Sequence, residues 1–506
     1  MLIPPKVFIE KQLASHIATN YKYTNQSKKL CAKGTRSKLL GDIEQWLLPH
    51  PSNAERIFWV TGIPGSGKST LSATIVENLR ETDTPVSAQY FISRNFLETI
   101  DPNNMIPTIA QQLAISSPTA ARVLEKALKN GYFLDPDKQI TSLLLDPIRE
   151  LSKSRDVVVI LIDALDELND ADKRVRHLLS QIAPIHCDLP NNIRFIITSR
   201  PEHWTDISQF NEAVFKRHFL ATELSVKEVH EFVVARMEEI RPDEPDWRDW
   251  PDPDQLQRLS DKANGLFHYA ATALQWIEQC IRDDGMACRE SVFQRFSEDG
   301  LKELDGLYEL ILTSWYERPK ANDGRATRRD GFQHVMGTIL VLRKPLIIDE
   351  IIALLSNIPK DKFDVKLFLQ QMRSVLIPGT TILFLNATPQ MHKSFRDYIM
   401  GRAPPDFRIL TQDAEFKIAR SCLDNIVKAG SGCCNISKYA VTHWYEHLQE
   451  AMLKEAGSDD KTMWKLLGEM ANEGVVGVWM REESMRDIVL SVAATGYWLL
   501  KVRQKH

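Results

Sequence analysis

The sequence predicts an α/β protein in which a parallel sheet near the N-terminus is followed by helical regions. A glycine-rich loop lies between a short apolar run and a helical stretch, within residues 56–80. Six consecutive aliphatic residues, 157–162, end in an acid, as expected of a central strand covered on both faces. From residue 225 onward, apolar residues recur mostly at helical spacing.

The glycine-rich loop fits the phosphate-binding pattern G-x-x-x-x-G-K-[ST]. Glycines let backbone N–H groups approach phosphate oxygens, and the N-terminus of the following helix adds partial positive charge. The pattern assigns Lys68 to the β- and γ-phosphates and the Ser69 hydroxyl to Mg²⁺. We therefore expect phosphate contacts from Gly62, Pro64, Gly65, Ser66, Gly67, Lys68, Ser69 and Thr70.

An acidic segment directly follows the aliphatic run 157–162. Ligands of open parallel sheets bind at the carboxyl ends of the strands, and Asp163 stands at such an end. We expect Asp163 to hold Mg²⁺ through its water shell. Asp166 and Glu167 lie just beyond, and either could orient or deprotonate the water that attacks the γ-phosphate.

Three more stretches, 86–92, 193–198 and 215–220, are predicted as strands of the same sheet. The stretch 193–198 runs into Ser199 and Arg200. An arginine at the end of this strand, beside the glycine-rich loop and the acids, can make charge-assisted contacts with a γ-phosphate. We therefore expect Arg200 to sense the γ-phosphate.

Composition limits the class of function. The net charge of −4 and the pI of about 6.4 argue against a broad nucleic-acid surface, so no nucleic-acid partner is expected. Seven scattered cysteines without a C-x-x-C pair are typical of a reduced, cytoplasmic protein. The N-terminus lacks the apolar segment of a secretion signal, and no apolar run reaches the length of a membrane span.

Composition shifts and turn signals divide the chain into five predicted regions. The fourth region starts with a polar loop at 319–330 and continues with three helices and a hairpin strand at 382–385, which suggests a winged helix. Asp361 and Asp364 beside the basic residues of the third helix favour a structural role over DNA binding. The regions are an N-terminal extension (1–30), a nucleotide-binding domain (31–222), a helical domain (223–318), a winged-helix-like domain (319–402) and a C-terminal helical region (403–506).

Several motifs, in order over roughly residues 31–450, resemble those of NACHT-type STAND NTPases, a group of P-loop proteins. The resemblance is strongest to the fungal members whose core is described as nephrocystin-like at its N-terminus. Besides the glycine-rich loop, the matching segments are 31–36, 56–59, 161–168, 197–201, Gly265-Leu266-Phe267, 345–351 and 391–398.

The resemblance implies binding residues that spacing alone does not indicate. In similar proteins, the segment corresponding to Thr35 and Arg36 lies by the nucleobase. The histidine of the winged-helix motif, here His392, contacts the β-phosphate of bound ADP and closes the inactive form. The implied cofactors are ATP or ADP with Mg²⁺; the absence of an N-K-x-D guanine motif favours ATP and leaves GTP open.

The resemblance also implies a nucleotide-driven switch in signalling or in fungal self/non-self defence. Such a protein rests with ADP, opens and forms homo-oligomers with ATP, and hydrolyses ATP slowly to reset. Family members usually add an N-terminal effector domain and C-terminal repeats, neither of which is visible here, so we expect either a truncated chain or separate effector and sensor partners. Two alternatives stay open: a nucleotide-binding scaffold without significant hydrolysis, and a P-loop enzyme with high turnover.

Overall fold

The computed structural model describes residues 4–48, 55–131, 136–183, 189–201, 212–296, 303–317, 325–376, 384–430 and 437–452. The chain divides into two compact units. The first unit comprises residues 1–274 and 289–297, and the second comprises residues 275–288 and 298–506. The predicted nucleotide site lies in the first unit, whereas His392 belongs to the second.

A parallel sheet forms the centre of the first unit and confirms the predicted α/β class. Its five strands lie in the order β2-β3-β4-β1-β5. Every residue of β3 and of β4 is buried, which explains their continuous apolar sequences. The strands are β1 (Ile57–Thr61), β2 (Val86–Phe91), β3 (Val158–Asp163), β4 (Ile193–Ser199) and β5 (Phe215–Phe219).

The strand register brings the predicted site residues to one edge of the sheet. Strand β4 lies between β1 and β3, with Thr61 opposite Ser199 and Ile162 opposite Ile197. Because all three strands are parallel, their carboxyl ends adjoin one another. The glycine-rich loop follows β1, the acidic segment follows β3, and Arg200 follows β4.

Helices cover both faces of the sheet. Successive residues of a strand point to opposite faces, so Trp59 packs in one apolar cluster and its neighbour Phe58 in the other. The helices that begin in the first unit are α1 (Pro5–Leu13), α2 (Ser37–Leu47), α3 (Lys68–Leu79), α4 (Leu97–Ile100), α5 (Pro102–Ser116), α6 (Pro118–Lys129), α7 (Pro136–Ile140), α8 (Asp146–Ser152), α9 (Ala171–Ile182), α10 (Val226–Ile240), α11 (Pro253–Ala263) and α12 (Phe267–Asp284), while α13 (Cys288–Arg295) lies almost wholly in it.

Outside α12 and α13, the described residues of the second unit form helices joined by turns and loops, with no strand among them. Helices α20 and α21 pack against each other, and α15 packs against α20. Residues 325–330, predicted as part of a polar loop, instead form the first turns of α15, since alanine and arginine are good helix formers. The helices are α14 (Leu304–Tyr316), α15 (Arg325–Val341), α16 (Ile348–Leu354), α17 (Val365–Gln371), α18 (Arg373–Leu376), α19 (Lys393–Asp397), α20 (Thr411–Gly430) and α21 (Lys438–Met452).

The winged-helix region is described only in part. Two of the three predicted helices correspond to α15 and α16, while the third is divided into α17 and α18. Most of the predicted hairpin lies at 377–383, outside the described residues, and Phe384–Asn386 forms a short 3₁₀ turn rather than a strand. The winged helix therefore stays a prediction, as does the five-region division.

Residues 453–506 also lie outside the described part of the chain. None of the helices that the structure does describe is both long and apolar enough to cross a bilayer.

Candidate nucleotide site

The glycine-rich loop connects β1 to α3 in a conformation that requires glycine. Gly67 has a φ of +92°, a backbone conformation that residues with a Cβ rarely adopt. A Cβ on Gly62 would lie 2.6 Å from Ser66 Oγ and 3.1 Å from Leu220 Cβ. Helix α3 then begins at Lys68, so the positive end of its dipole faces the loop.

Lys68 interacts electrostatically with the acids at the adjoining strand ends. Its Nζ donates hydrogen bonds to Gly62 O at 2.5 Å and to Ile63 O at 3.0 Å. Burial lowers the pKa of Lys68 to about 8, while the carboxylates of Asp166 and Asp163 act in the opposite direction. The loop and the acidic segment, predicted separately, therefore belong to one electrostatic site.

Asp163 is completely buried at the end of β3. Its Oδ1 accepts hydrogen bonds from Thr198 Oγ1 at 2.6 Å and from Ser72 Oγ at 2.8 Å. Its Oδ2 has no hydrogen-bond partner among the described residues. A buried carboxylate oxygen without a partner is costly, so this atom is suited to a donor that comes with the ligand, such as water on Mg²⁺.

A tight turn carries the chain from Asp163 to the other two acids. Ala164 has a φ of +61°, and its N–H donates to Thr198 Oγ1 at 2.9 Å. Asp166 then faces Arg200, whose backbone N–H donates to Oδ1 at 3.1 Å and whose Nε lies 3.4 Å from Oδ2. Glu167 Oε2 accepts a hydrogen bond from the backbone N–H of Arg94 at 3.0 Å. The structure thus brings together Asp166 and Arg200, for which we predicted separate roles.

The segment with Thr35 and Arg36 adjoins the glycine-rich loop. The Thr35 N–H and Oγ1 both donate to Ala32 O, at 3.0 and 2.7 Å. One guanidinium nitrogen of Arg36 donates to Ser66 O at 3.0 Å, and the guanidinium lies 5.2 Å from the centroid of the Phe267 ring. Burial lowers the pKa of Arg36. A contact of either residue with a nucleobase stays a prediction.

Two site residues, Thr198 and Ser72, were not predicted. Thr198 is a polar residue near the end of an otherwise apolar strand, next to the Ser199-Arg200 pair that was singled out. Ser72 lies three residues after Ser69 on α3, and residues at that spacing share a helix face. Both are short hydroxyl side chains at buried positions, and this combination could have indicated a hidden polar partner.

His392 precedes α19 in the second unit. Its Nδ1 accepts a hydrogen bond from the Ser394 N–H at 3.3 Å and lies 2.6 Å from Ser394 Oγ. The Ser394 hydroxyl in turn lies 2.8 Å from the Tyr308 hydroxyl. These contacts orient the imidazole ring; its predicted contact with a β-phosphate stays a prediction.

Within the described residues, no group of three or more histidine, cysteine, aspartate or glutamate side chains is arranged to bind a metal ion. A magnesium site formed by Ser69 and Asp163 does not need such a group. Mg²⁺ keeps several water ligands and binds nucleotides through one or two protein groups together with phosphate oxygens.

Comparison with known proteins supports the predicted resemblance. Residues 34–200 match the family described as "Nephrocystin 3, N-terminal". The chain is also 24% identical over 383 residues to the vegetative incompatibility protein HET-E-1 of Podospora anserina. That match covers 71% of this chain and 25% of the fungal protein, so the chain spans about a quarter of the length of this relative. Together the two matches confirm the predicted resemblance to NACHT-type proteins whose core is described as nephrocystin-like at its N-terminus.

Proposed function

We propose that the protein is a molecular switch that binds ATP or ADP with Mg²⁺ in the first unit. The observation that supports this most directly is the buried Asp163, in the same electrostatic site as Lys68, with one carboxylate oxygen that has no partner among the described residues. This arrangement combines a phosphate-binding loop, a cation for the phosphates and an acid for a magnesium-bound water.

Each residue has a distinct role in this proposal. The loop amides and Lys68 would hold the phosphates, and Ser69 and Asp163 would hold Mg²⁺. When bound, Mg²⁺ neutralises charge on the β- and γ-phosphates. Asp166 or Glu167 orients the attacking water, and Arg200 contacts the γ-phosphate.

The acids of the site support slow hydrolysis. Asp166 accepts a hydrogen bond from the Arg200 N–H, and its Oδ2 faces the Arg200 guanidinium. Glu167 accepts a hydrogen bond from the backbone N–H of Arg94. Both oxygens of Asp166 are engaged by Arg200, so Asp166 must share these contacts to activate a water, which disfavours an enzyme with high turnover. The same contacts favour the second candidate, a nucleotide-binding scaffold without significant hydrolysis.

The remaining parts of the proposal come from the resemblance. We infer that ADP holds an inactive form, that ATP opens it and promotes homo-oligomers, and that His392 contacts the β-phosphate. One hydrogen bond to a charged group contributes about 1.5–3 kcal/mol, whereas changing a switch from 1:99 to 99:1 needs about 5.5 kcal/mol. His392 therefore provides only part of the difference. A role in fungal self/non-self recognition rests on the similarity to the incompatibility protein.

The decisive experiment is calorimetric titration of the full chain with ATP, ADP and GTP in the presence of Mg²⁺. We expect Lys68→Ala to weaken ATP binding by at least about 100-fold, since Lys68 is the cation assigned to the phosphates. Lys153→Ala, which changes an exposed lysine paired with Glu150, is the matched control and should bind normally. Equal ATP affinities for the Lys68→Ala variant and the wild type would refute the site.

Two further measurements separate the candidates. Light scattering with ATP and with ADP should show a larger assembly with ATP if the protein is a switch. Steady-state phosphate release well below one per second supports the switch, and release well above that rate supports an ordinary enzyme. A nucleotide-independent assembly with no detectable release supports the scaffold.

A further inference from the structure

Arg36 is enclosed by three segments of the first unit that are distant in sequence. Its guanidinium donates to Ser66 O of the glycine-rich loop at 3.0 Å. Its backbone N–H donates to Glu228 Oε1 in the first turn of α10 at 2.9 Å, and its Nε lies 3.8 Å from Glu228 Oε2. The guanidinium carbon lies over the ring of Phe267, the first residue of α12, 5.2 Å from the ring centroid. Arg36 is only 8% exposed, so its contacts are largely shielded from water.

The backbone of Arg36 is itself unusual. Its φ of +57° is uncommon for a residue with a side chain. The bond from its N–H to Glu228 helps to maintain this conformation. A left-handed residue held by a partly buried carboxylate indicates that the position of the side chain matters.

A second hydrogen bond, from helix α12, reaches the glycine-rich loop at Gly65, the residue before Ser66. The backbone N–H of His268, in the first turn of α12, donates to Gly65 O at 3.2 Å. Two consecutive carbonyl groups of the loop, those of Gly65 and Ser66, are therefore bonded to groups outside the loop.

The bond to Ser66 O determines the direction of the next amide. A trans peptide is planar, so its C=O and N–H groups point in opposite directions. Because Arg36 fixes the C=O of Ser66, it also fixes the N–H of Gly67 toward the opposite side. Backbone N–H groups of such loops are the groups that bind phosphate oxygens.

We propose that Arg36 is a positioning residue for the phosphate-binding loop, and that Glu228 holds it in place. The affinity of the loop for phosphates then depends on α10 and α12, which links the helical residues after 225 to nucleotide binding. This inference rests on the proposed nucleotide site and assigns Arg36 to the phosphate end of the nucleotide rather than to the base.

The test is to measure the affinities of Arg36→Ala for ATP, ADP and pyrophosphate at fixed Mg²⁺, by competition against a fluorescent ATP analogue. The variant loses one charge-assisted hydrogen bond that orders the loop, so its affinity for each of the three ligands should fall roughly tenfold. If Arg36 serves the nucleobase, ATP and ADP weaken while pyrophosphate binds as before, and the proposal is overturned. Unchanged affinities for all three also overturn it.

Two milder variants guard against misfolding. Arg36→Lys retains one donor for Ser66 O and should recover part of the affinity for all three ligands. Glu228→Gln retains an acceptor for the Arg36 N–H but removes the charge, and should weaken all three by a smaller factor. The control is Glu231→Gln on the same helix, where an exposed carboxylate pairs with Lys227 at 3.7 Å, and it should change nothing. If Glu228→Gln has no effect, Glu228 does not hold Arg36.

The experiment distinguishes failure of the Arg36 proposal from failure of the proposed nucleotide site. A wild-type chain that binds neither ATP nor pyrophosphate, with Lys68→Ala identical to it, refutes the site as a whole. Normal binding by the wild type together with unchanged binding by Arg36→Ala refutes only the role of Arg36.

Discussion

Arg200 contacts Asp166 twice, through its backbone N–H at 3.1 Å from Oδ1 and through its Nε at 3.4 Å from Oδ2. The Asp166 side chain is only 4% exposed, so water screens this pair little. The residue assigned to the γ-phosphate and one of the two acids assigned to the water therefore restrain each other. A γ-phosphate that attracts Arg200 competes directly with Asp166.

This competition predicts the effect of Asp166→Asn. Asparagine retains an acceptor for the Arg200 N–H but loses the charge, which leaves the guanidinium more available to a γ-phosphate. We expect the ratio of ATP to ADP affinity to rise about fivefold, roughly 1 kcal/mol. Calorimetry with both nucleotides measures the ratio. Glu167→Gln is the control and should leave it unchanged; a ratio that stays constant or falls in Asp166→Asn would contradict the competition.

Asp163→Asn tests the magnesium role of the buried acid. Asparagine can still accept the hydrogen bonds of Thr198 and Ser72 at one oxygen, so the strand ends should keep their structure. We expect the gain in ATP affinity on adding Mg²⁺ to fall at least about tenfold, because the negative charge near the metal is lost. Titrations with MgCl₂ and with EDTA measure that gain. The idea fails if the variant responds to Mg²⁺ as the wild type does.

Nucleotide affinity should depend on pH through Lys68. The pKa of Lys68 is about 8, so a substantial fraction of this side chain is neutral near pH 8. Bound phosphates add negative charge and raise this pKa, so binding takes up a proton and the affinity decreases as the pH rises from 7 to 9. Calorimetry at pH 8 in two buffers of different ionisation enthalpy detects the uptake. Lys68→Arg, which stays charged, should bind without it; uptake by this variant would point to another group.

Gly265→Ala should destabilise the first unit. Gly265 has a φ of +76°, and a Cβ there would lie 2.0 Å from Thr222 O. We expect a loss of about 2–4 kcal/mol in the free energy of unfolding, with contributions from backbone strain and from the clash. Gly131→Ala is a matched control, since its φ of +72° is similar and its added Cβ meets no atom of the described residues within 4 Å beyond its chain neighbours. It should cost about 1–2 kcal/mol. Thermal melting distinguishes the two, and equal losses would refute the clash.

The elements of the site could be predicted because their signals are local. The glycine-rich loop and the aliphatic strand that ends in Asp163 are each readable within about ten residues. The contacts among these elements could not be predicted from local signals. Thr198 bonds to Asp163 across 35 residues and Arg200 to Asp166 across 34, and only the order of the strands brings them together.

The predicted loop at 319–330 was wrong over residues 325–330 for a different reason. Residues 325–330 are rich in charge, which suggested a solvated loop, yet the same arginines have high helix propensity. In this segment Arg328 is buried and donates to Tyr316 O at 2.7 Å. Tertiary contacts of this kind decide whether a polar segment is helical, and they leave no periodic pattern in the sequence.

Thr198 and Arg200 lie two residues apart where β4 ends, and each is bonded to a different acid of the segment that begins with Asp163, the last residue of β3. A shift of this one backbone segment would displace both acids together. If the proposed roles hold, metal binding and hydrolysis are coupled through this segment, and we expect a substitution that alters one to disturb the other. We expect evolutionary change at these four positions to be concerted rather than independent.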